Sequence, residues 1–111
     1  MSFDREARAA RDAALAEFGR PVVIDPDGAE ISAVARMADR TESAQLGGIE
    51  IVQDSRAFLF AAEIAEAHIV RGSIIAVLDE ETGLEVERRI VQGEPIYRDR
   101  RLLVEIDTAP A

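Results

Sequence analysis

Apolar residues first recur at helical spacing. Phe3, Ala7, Ala10, Ala14 and Phe18 fall on one stripe, with Leu15 at its edge, which predicts a helix over 3–18. Ser2 is placed to cap it, Asp4 and Glu6 suit the positive end of its dipole, and Gly19 then Pro21 stops it. The stripe is mostly Ala, so the helix needs a close neighbour: its own sheet or another subunit. From Pro21 the period changes to two. Val22–Ile24 reads as a short strand, Asp25-Pro26-Asp27-Gly28 as a turn, and 31–37 as a half-buried strand in which Ile31, Ala33, Ala35 and Met37 alternate with Ser32, Val34 and Arg36.

Asp39, Arg40, Thr41, Glu42, Ser43, Ala44, Gln45, Leu46, Gly47 and Gly48 carry no period. They read as a long, polar, mobile loop. Alternation resumes through Ile49 and Ile51, and again over 56–62 with Phe58 and Phe60 on one face. Residues 63–70 fit a short helix or a loose turn. Ser73–Leu78 is a continuous apolar strand, suited to a central position, and Asp79–Gly83 is a hairpin turn. Beyond it Leu84, Val86 and Ile90 share one face, and Glu85, Glu87 and Arg89 the other. Gln92–Pro95 interrupts the pattern, Ile96-Tyr97 resumes it, and 98–100 turns into a last strand over 102–107. The sum is a single mainly β (α+β) domain over 1–111. It has about seven short strands at hairpin spacing, one N-terminal helix and a long mobile loop, closing as a small antiparallel β-barrel or sandwich.

Charge changes the functional picture. The 111 residues carry 13 basic and 22 acidic side chains, a formal net of −9. A sequence-independent grip on nucleic acid or a polybasic membrane anchor needs the opposite sign. Every basic residue is Arg, so Lys Schiff bases and P-loops are excluded. With no Cys, disulfides, thiolate nucleophiles and thiolate zinc sites are excluded as well. The mixed-charge opening predicts no signal peptide, and the longest apolar run, 57–62, is far short of a membrane span.

Candidate chemistry is sparse. His68 is the one histidine, and Ser73 follows it without a Gly-x-Ser-x-Gly elbow, so a hydrolase built on the pair is the weakest of three readings. Asp25-x-Asp27-Gly28 resembles the middle of a calcium loop, but Val23 and Val34 stand where its first and last ligands belong. Gly47-Gly48 precedes a strand rather than a helix and lacks a phosphate-binding helix N-terminus. No catalytic residue, metal site or cofactor site is expected.

An asymmetry is more informative. Residues 79–87 hold five acids and no base, whereas 88–101 hold five Arg and two acids. Cross-strand pairing within one chain would use these charges internally. Head-to-tail contact around a ring would set one subunit's acidic edge on the next subunit's Arg edge. On the second reading Glu80, Glu81, Glu85, Glu87, Arg88, Arg89, Arg98, Arg100 and Arg101 are subunit-interface candidates.

Several stretches carry a family likeness. An Ala/Arg-rich helix ends in Phe18-Gly19-Arg20-Pro21. A long irregular segment precedes the middle strands, and Arg71-Gly72-Ser73-Ile74-Ile75 opens a strand with Gly. Val91-Gln92-Gly93-Glu94-Pro95, then Arg98-Asp99-Arg100-Arg101-Leu102, precede the final strand. In these features the chain resembles the small head–tail joining proteins of long-tailed bacteriophages, the lambda-type neck or stopper family, which also occurs in prophages and gene transfer agents. Ser73 stands where family members often carry Asp. The resemblance implies a ring, of six subunits, in the neck of a virion or phage-like particle assembled in the bacterial cytoplasm. Its partners would be the portal adaptor and the tail terminator or tail-completion proteins. Double-stranded DNA would pass through the lumen without specific binding, and neither cofactor nor membrane is implied. Residues 39–48 would be the partner-docking loop. The rival from another class is a monomeric cytoplasmic β module that binds a ligand or a protein.

Overall fold

The computed structural model describes the backbone of residues 2–46 and 49–111 and the side chains of residues 4–38 and 55–111. The order is α1 (Ser2–Phe18), β1 (Arg20–Ile24), β2 (Ile31–Leu46), β3 (Ile49–Ala61), α2 (Ala62–His68), β4 (Ile74–Leu78), β5 (Glu85–Arg98) and β6 (Leu103–Pro110). The strands form a closed antiparallel barrel in the order β1-β2-β3-β6-β5-β4. Pairing of β1 with β4, Val22 opposite Val77, closes it. Closure is the barrel solution to the edge-strand problem.

Inward positions follow period two. Val22, Ile24, Phe58, Phe60, Ile75, Val77 and Val104 are almost completely buried, and the two Phe rings stack with centroids 6.1 Å apart. Burying such side chains supplies the main driving force for the fold. The segment 63–70, ambiguous from sequence, begins as α2, whose Ala62 and Ala65 plug the barrel between β3 and β4.

The described residues form six strands rather than seven, because strands that looked interrupted are continuous. Gly93 adopts φ 77° and the β5–β6 register shifts between Gln92 and Ile96. Pro95 therefore lies where the ladder is already open, and its missing N–H costs nothing there.

The reading of 39–48 as an irregular loop is corrected for its described part. Residues 39–46 are the outer half of β2, with Thr41 opposite Asp54 and Leu46 opposite Ile49. Gly47 and Gly48 lie outside the described residues. The sequence shows no alternation here, so a pattern of period two could not reveal the strand.

The charged face of β5 is the one that turns inward. Glu87, Arg89 and Val91 point into the barrel, whereas Leu84 and Val86 are 68% and 58% exposed. On α1 the buried residues are Arg11 and Leu15, while Ala10, Ala14 and Phe18 of the predicted stripe stay open. The end of α1 closes tightly on β2. A Cβ at Gly19 would stand 2.4 Å from the Leu15 carbonyl oxygen and 2.5 Å from Val34 Cγ1, so only glycine permits this approach.

Candidate functional site

Three surfaces stand apart from the core. The first is the ribbon of β2 and β3. From Arg40 opposite Ser55 to Leu46 opposite Ile49, seven residue pairs belong to the β2–β3 ladder alone, since β1 pairs with β2 no further than Ala35 and β6 pairs with β3 no further than Arg56. At about 3.4 Å per residue this arm runs some 20–25 Å beyond the barrel, within a chain measuring 56 × 31 × 24 Å. Both of its outer edges present backbone groups that no other described strand satisfies.

The second surface is the β4–β5 turn. Asp79 Oδ1 accepts hydrogen bonds from the N–H groups of Glu81 at 2.8 Å and Thr82 at 2.9 Å. Gly83 N–H donates to the Asp79 carbonyl at 2.9 Å, with Gly83 at φ 72°. The N–H groups of Thr82 and Glu81 hold the Asp79 carboxyl below the usual carboxylate range. This rigid turn carries Glu80 and Glu81 beside exposed Leu84 and Val86.

The third is a groove of about 480 Å³ between α1 and the barrel, floored by Ala10, Ala14, Leu59 and Leu103 and edged by Arg36, Asp99 and Arg100. Arg11 fixes its inner wall. Its NH1 donates to the Leu102 carbonyl at 3.1 Å and pairs with Glu63 at 2.9 Å, and its NH2 pairs with Asp12 at 2.9 Å. Burial opposes the Arg11 charge, but the bonds to Glu63 and Asp12 outweigh it and raise its pKa. At the rim Asp99, Arg100 and Arg101 all take positive φ, 50°, 56° and 64°. The Arg101 guanidinium lies 4.0 Å from the centroid of the Tyr97 ring, a cation–π contact.

The interface candidates divide between these surfaces and internal pairing. Glu80 and Glu81 are exposed on the turn, and Arg100 is exposed at the groove edge while also interacting within the chain. Arg88 is shared between Glu85 at 2.8 Å and Asp27 at 2.6 Å, and this bond draws the Asp27 carboxyl below its usual range. Arg98 meets Glu105 at 3.5 Å, and Arg101 stacks on Tyr97. Glu87 pairs with Arg56, and Arg89 is fully buried inside the barrel. Arg89 therefore has no surface to offer a neighbouring subunit.

Sequence reasoning did not single out Arg11, Thr108 or the groove. Arg11 carries no local signal, since only the docking of α1 onto the Leu102 carbonyl shows its role.

The sparse chemical candidates occupy structural posts. Ser73 is buried and its hydroxyl accepts a hydrogen bond from Val70 N–H at 3.0 Å. His68 is exposed at the end of α2. No hydrogen bond joins the two among the described residues. Asp27 is engaged by Arg88, and no cluster of three metal-ligating side chains occurs among the described residues. No helix among them is long and apolar enough to cross a membrane.

The fold defines a small closed β-barrel with an N-terminal helix and a projecting ribbon. No protein-family model matches the chain, and no curated protein matches it by sequence.

Proposed function

We propose that this chain is a structural head–tail joining protein, a stopper of a long-tailed phage or phage-like particle. It forms a ring between the portal adaptor and the tail, closes the DNA channel and provides the tail docking surface. The observation that carries this reading is the β2–β3 arm. An isolated two-stranded ribbon is marginal in water, and its two open edges are templates for another chain. A barrel that holds such an arm away from itself is suited to gripping an axial neighbour. Of the residues expected to dock a partner, 39–46 form the outer part of β2.

The acidic balance supports the same role. A ring multiplies the net charge of −9 carried by each copy. Carboxylates near a lumen repel phosphate within about a Debye length of 8–10 Å, so DNA slides without sticking. The rival reading, a monomeric ligand-binding module, draws on the groove under α1, because the barrel interior is filled by Phe58, Phe60 and their neighbours.

The test shortens the arm. Removing 41–46 together with 49–54 keeps the register of what remains and leaves Gly47-Gly48 to connect Arg40 with Ser55. In a particle-producing host, the reading expects the shortened protein to fold while filled heads and free tails accumulate unjoined. Immunogold labelling of the intact protein should mark the neck. Normal yields of joined particles, or label elsewhere, would overturn it.

A further inference from the structure

We infer that the groove between α1 and the barrel is the seat for the β4–β5 turn of a second copy of this chain, so that subunits join head to tail. The inference rests on the ring-forming reading above and supplies the contact that reading lacks.

The two surfaces match in kind. The groove has an aliphatic floor, Ala10, Ala14, Leu59 and Leu103, and a charged edge in which Arg36 and Arg100 outnumber Asp99. The turn presents two exposed aliphatic side chains, Leu84 and Val86, beside two exposed acids, Glu80 and Glu81. Inserting Leu84 takes apolar area on both sides out of water. The Glu–Arg pairs at the rim set orientation and encounter rate more than raw affinity. The Asp79 bonds already hold the turn in one shape, so little ordering entropy is lost on docking.

Topology shows why the occupant is another copy. In the cyclic order β1-β2-β3-β6-β5-β4 the β4–β5 hairpin lies diametrically across the barrel from β2–β3. Arg36 and Leu59, which pair on β2 and β3, form part of the groove. The groove also takes in the β5–β6 turn, at the far end of the fourteen-residue β5. Within one chain the turn is anchored at β1 instead, where Arg20 donates to the Leu78 carbonyl at 3.2 Å, and so is held out of its own groove. A surface and a different, complementary surface on one subunit give a heterologous contact, which propagates until it closes on itself. One turn in one groove buries far less than the roughly 800 Å² per partner of a stable interface. The pair contact is therefore weak alone and gains strength from ring closure.

The absence of Cys permits a clean cross-linking test. Leu84→Cys and Ala10→Cys are made separately and in one chain, with folding checked by circular dichroism. Mild oxidation of the mixed single variants should give mainly the mixed dimer, and the double variant should give a ladder of dimer, trimer and higher species. Adding Glu80→Arg and Glu81→Arg should abolish the ladder, and adding Arg36→Glu and Arg100→Glu as well should restore it. Two results would overturn the inference. One is mixed dimer no more abundant than that from Leu84→Cys with Ala29→Cys on the distant β1–β2 turn. The other is a product dominated by Leu84→Cys homodimers, which would mean a two-fold contact. Failure here with the intact protein still labelling the neck would discard this contact alone. A ladder from a protein absent from particles would discard the neck reading and keep the contact.

Discussion

The Arg89 guanidinium, fully buried in the barrel, donates through Nε to Thr108 Oγ1 at 3.1 Å and through NH2 to the Thr108 carbonyl at 3.0 Å. Thr108 in turn donates its hydroxyl hydrogen to the Arg56 carbonyl at 2.8 Å. Glu87 pairs with Arg56 and lies 3.6 Å from Arg89. This polar layer sits where the arm enters the barrel, tying β3, β5 and β6 together. Removing one member strands the others in a poorly solvated place. Arg89→Ala is expected to cost about 3 kcal/mol, and Thr108→Val about 1–2 kcal/mol. Arg89→Met, which refills the volume without charge, should cost clearly less than Arg89→Ala in urea denaturation. Equal costs for the Ala and Met variants would reduce the layer to simple packing.

Gly19 is tested by its own close approach. Gly19→Ala forces a methyl group against the Leu15 carbonyl and Val34, and overpacking of this kind costs about 1–3 kcal/mol. Gly28→Ala is the control, since its nearest contact would be an ordinary 3.8 Å. Thermal melts should separate the two, with only the first shifted strongly.

Three successive left-handed residues at the groove rim store strain, about 1 kcal/mol or more for each residue bearing a side chain. Arg100→Gly should raise the thermal midpoint slightly while weakening the cross-linked ladder described above. A gain in stability with loss of self-contact would mark the turn as strained for its role.

Tyr97 donates its hydroxyl hydrogen to Glu66 Oε1 at 2.8 Å. That bond first, and burial second, raise the phenol above its ordinary range, with Arg101 opposing. The raised value means stabilisation that is complete below the unfolded pKa and lost as pH rises through the folded one. The chain has one Tyr and no Trp, so tyrosinate absorbance reports this group alone. Glu66→Gln should lower the midpoint and Arg101→Ala should raise it.

Asp79 works in the opposite direction. Its carboxyl is held low, so its contribution is present above the unfolded value of about 4 and disappears as pH falls through the folded one. Asp79→Ala should narrow the stability gap to wild type on acidification from about pH 6 to pH 2, as followed by thermal melts. A gap that stays constant would mean that the turn is held by its backbone bonds alone.

Much of the barrel was legible in the residues themselves. Alternation at 58–60 and 104–106 marked inward faces, because a strand with one side in the core must repeat every two residues, whereas the unbroken apolar runs at 22–24 and 73–78 marked strands without a face. The helix and its stop at Gly19 were legible for the same kind of local reason. The acid-then-Arg asymmetry drew attention to the β4–β5 turn and the β5–β6 turn, without saying which charges are spent on pairs within the chain.

Tertiary structure decided the rest. Pattern alone could not say that β5 turns Glu87 and Arg89 inward, because a buried charge is tolerated only when distant partners such as Arg56 and Thr108 converge on it. Nor could it extend β2 and β3 into an arm, since the pairing there rests on backbone register between two segments whose residues show no shared period. The groove exists only because α1 docks across the barrel. Local sequence specifies which way a residue can face, whereas which faces meet depends on contacts between segments far apart in the chain.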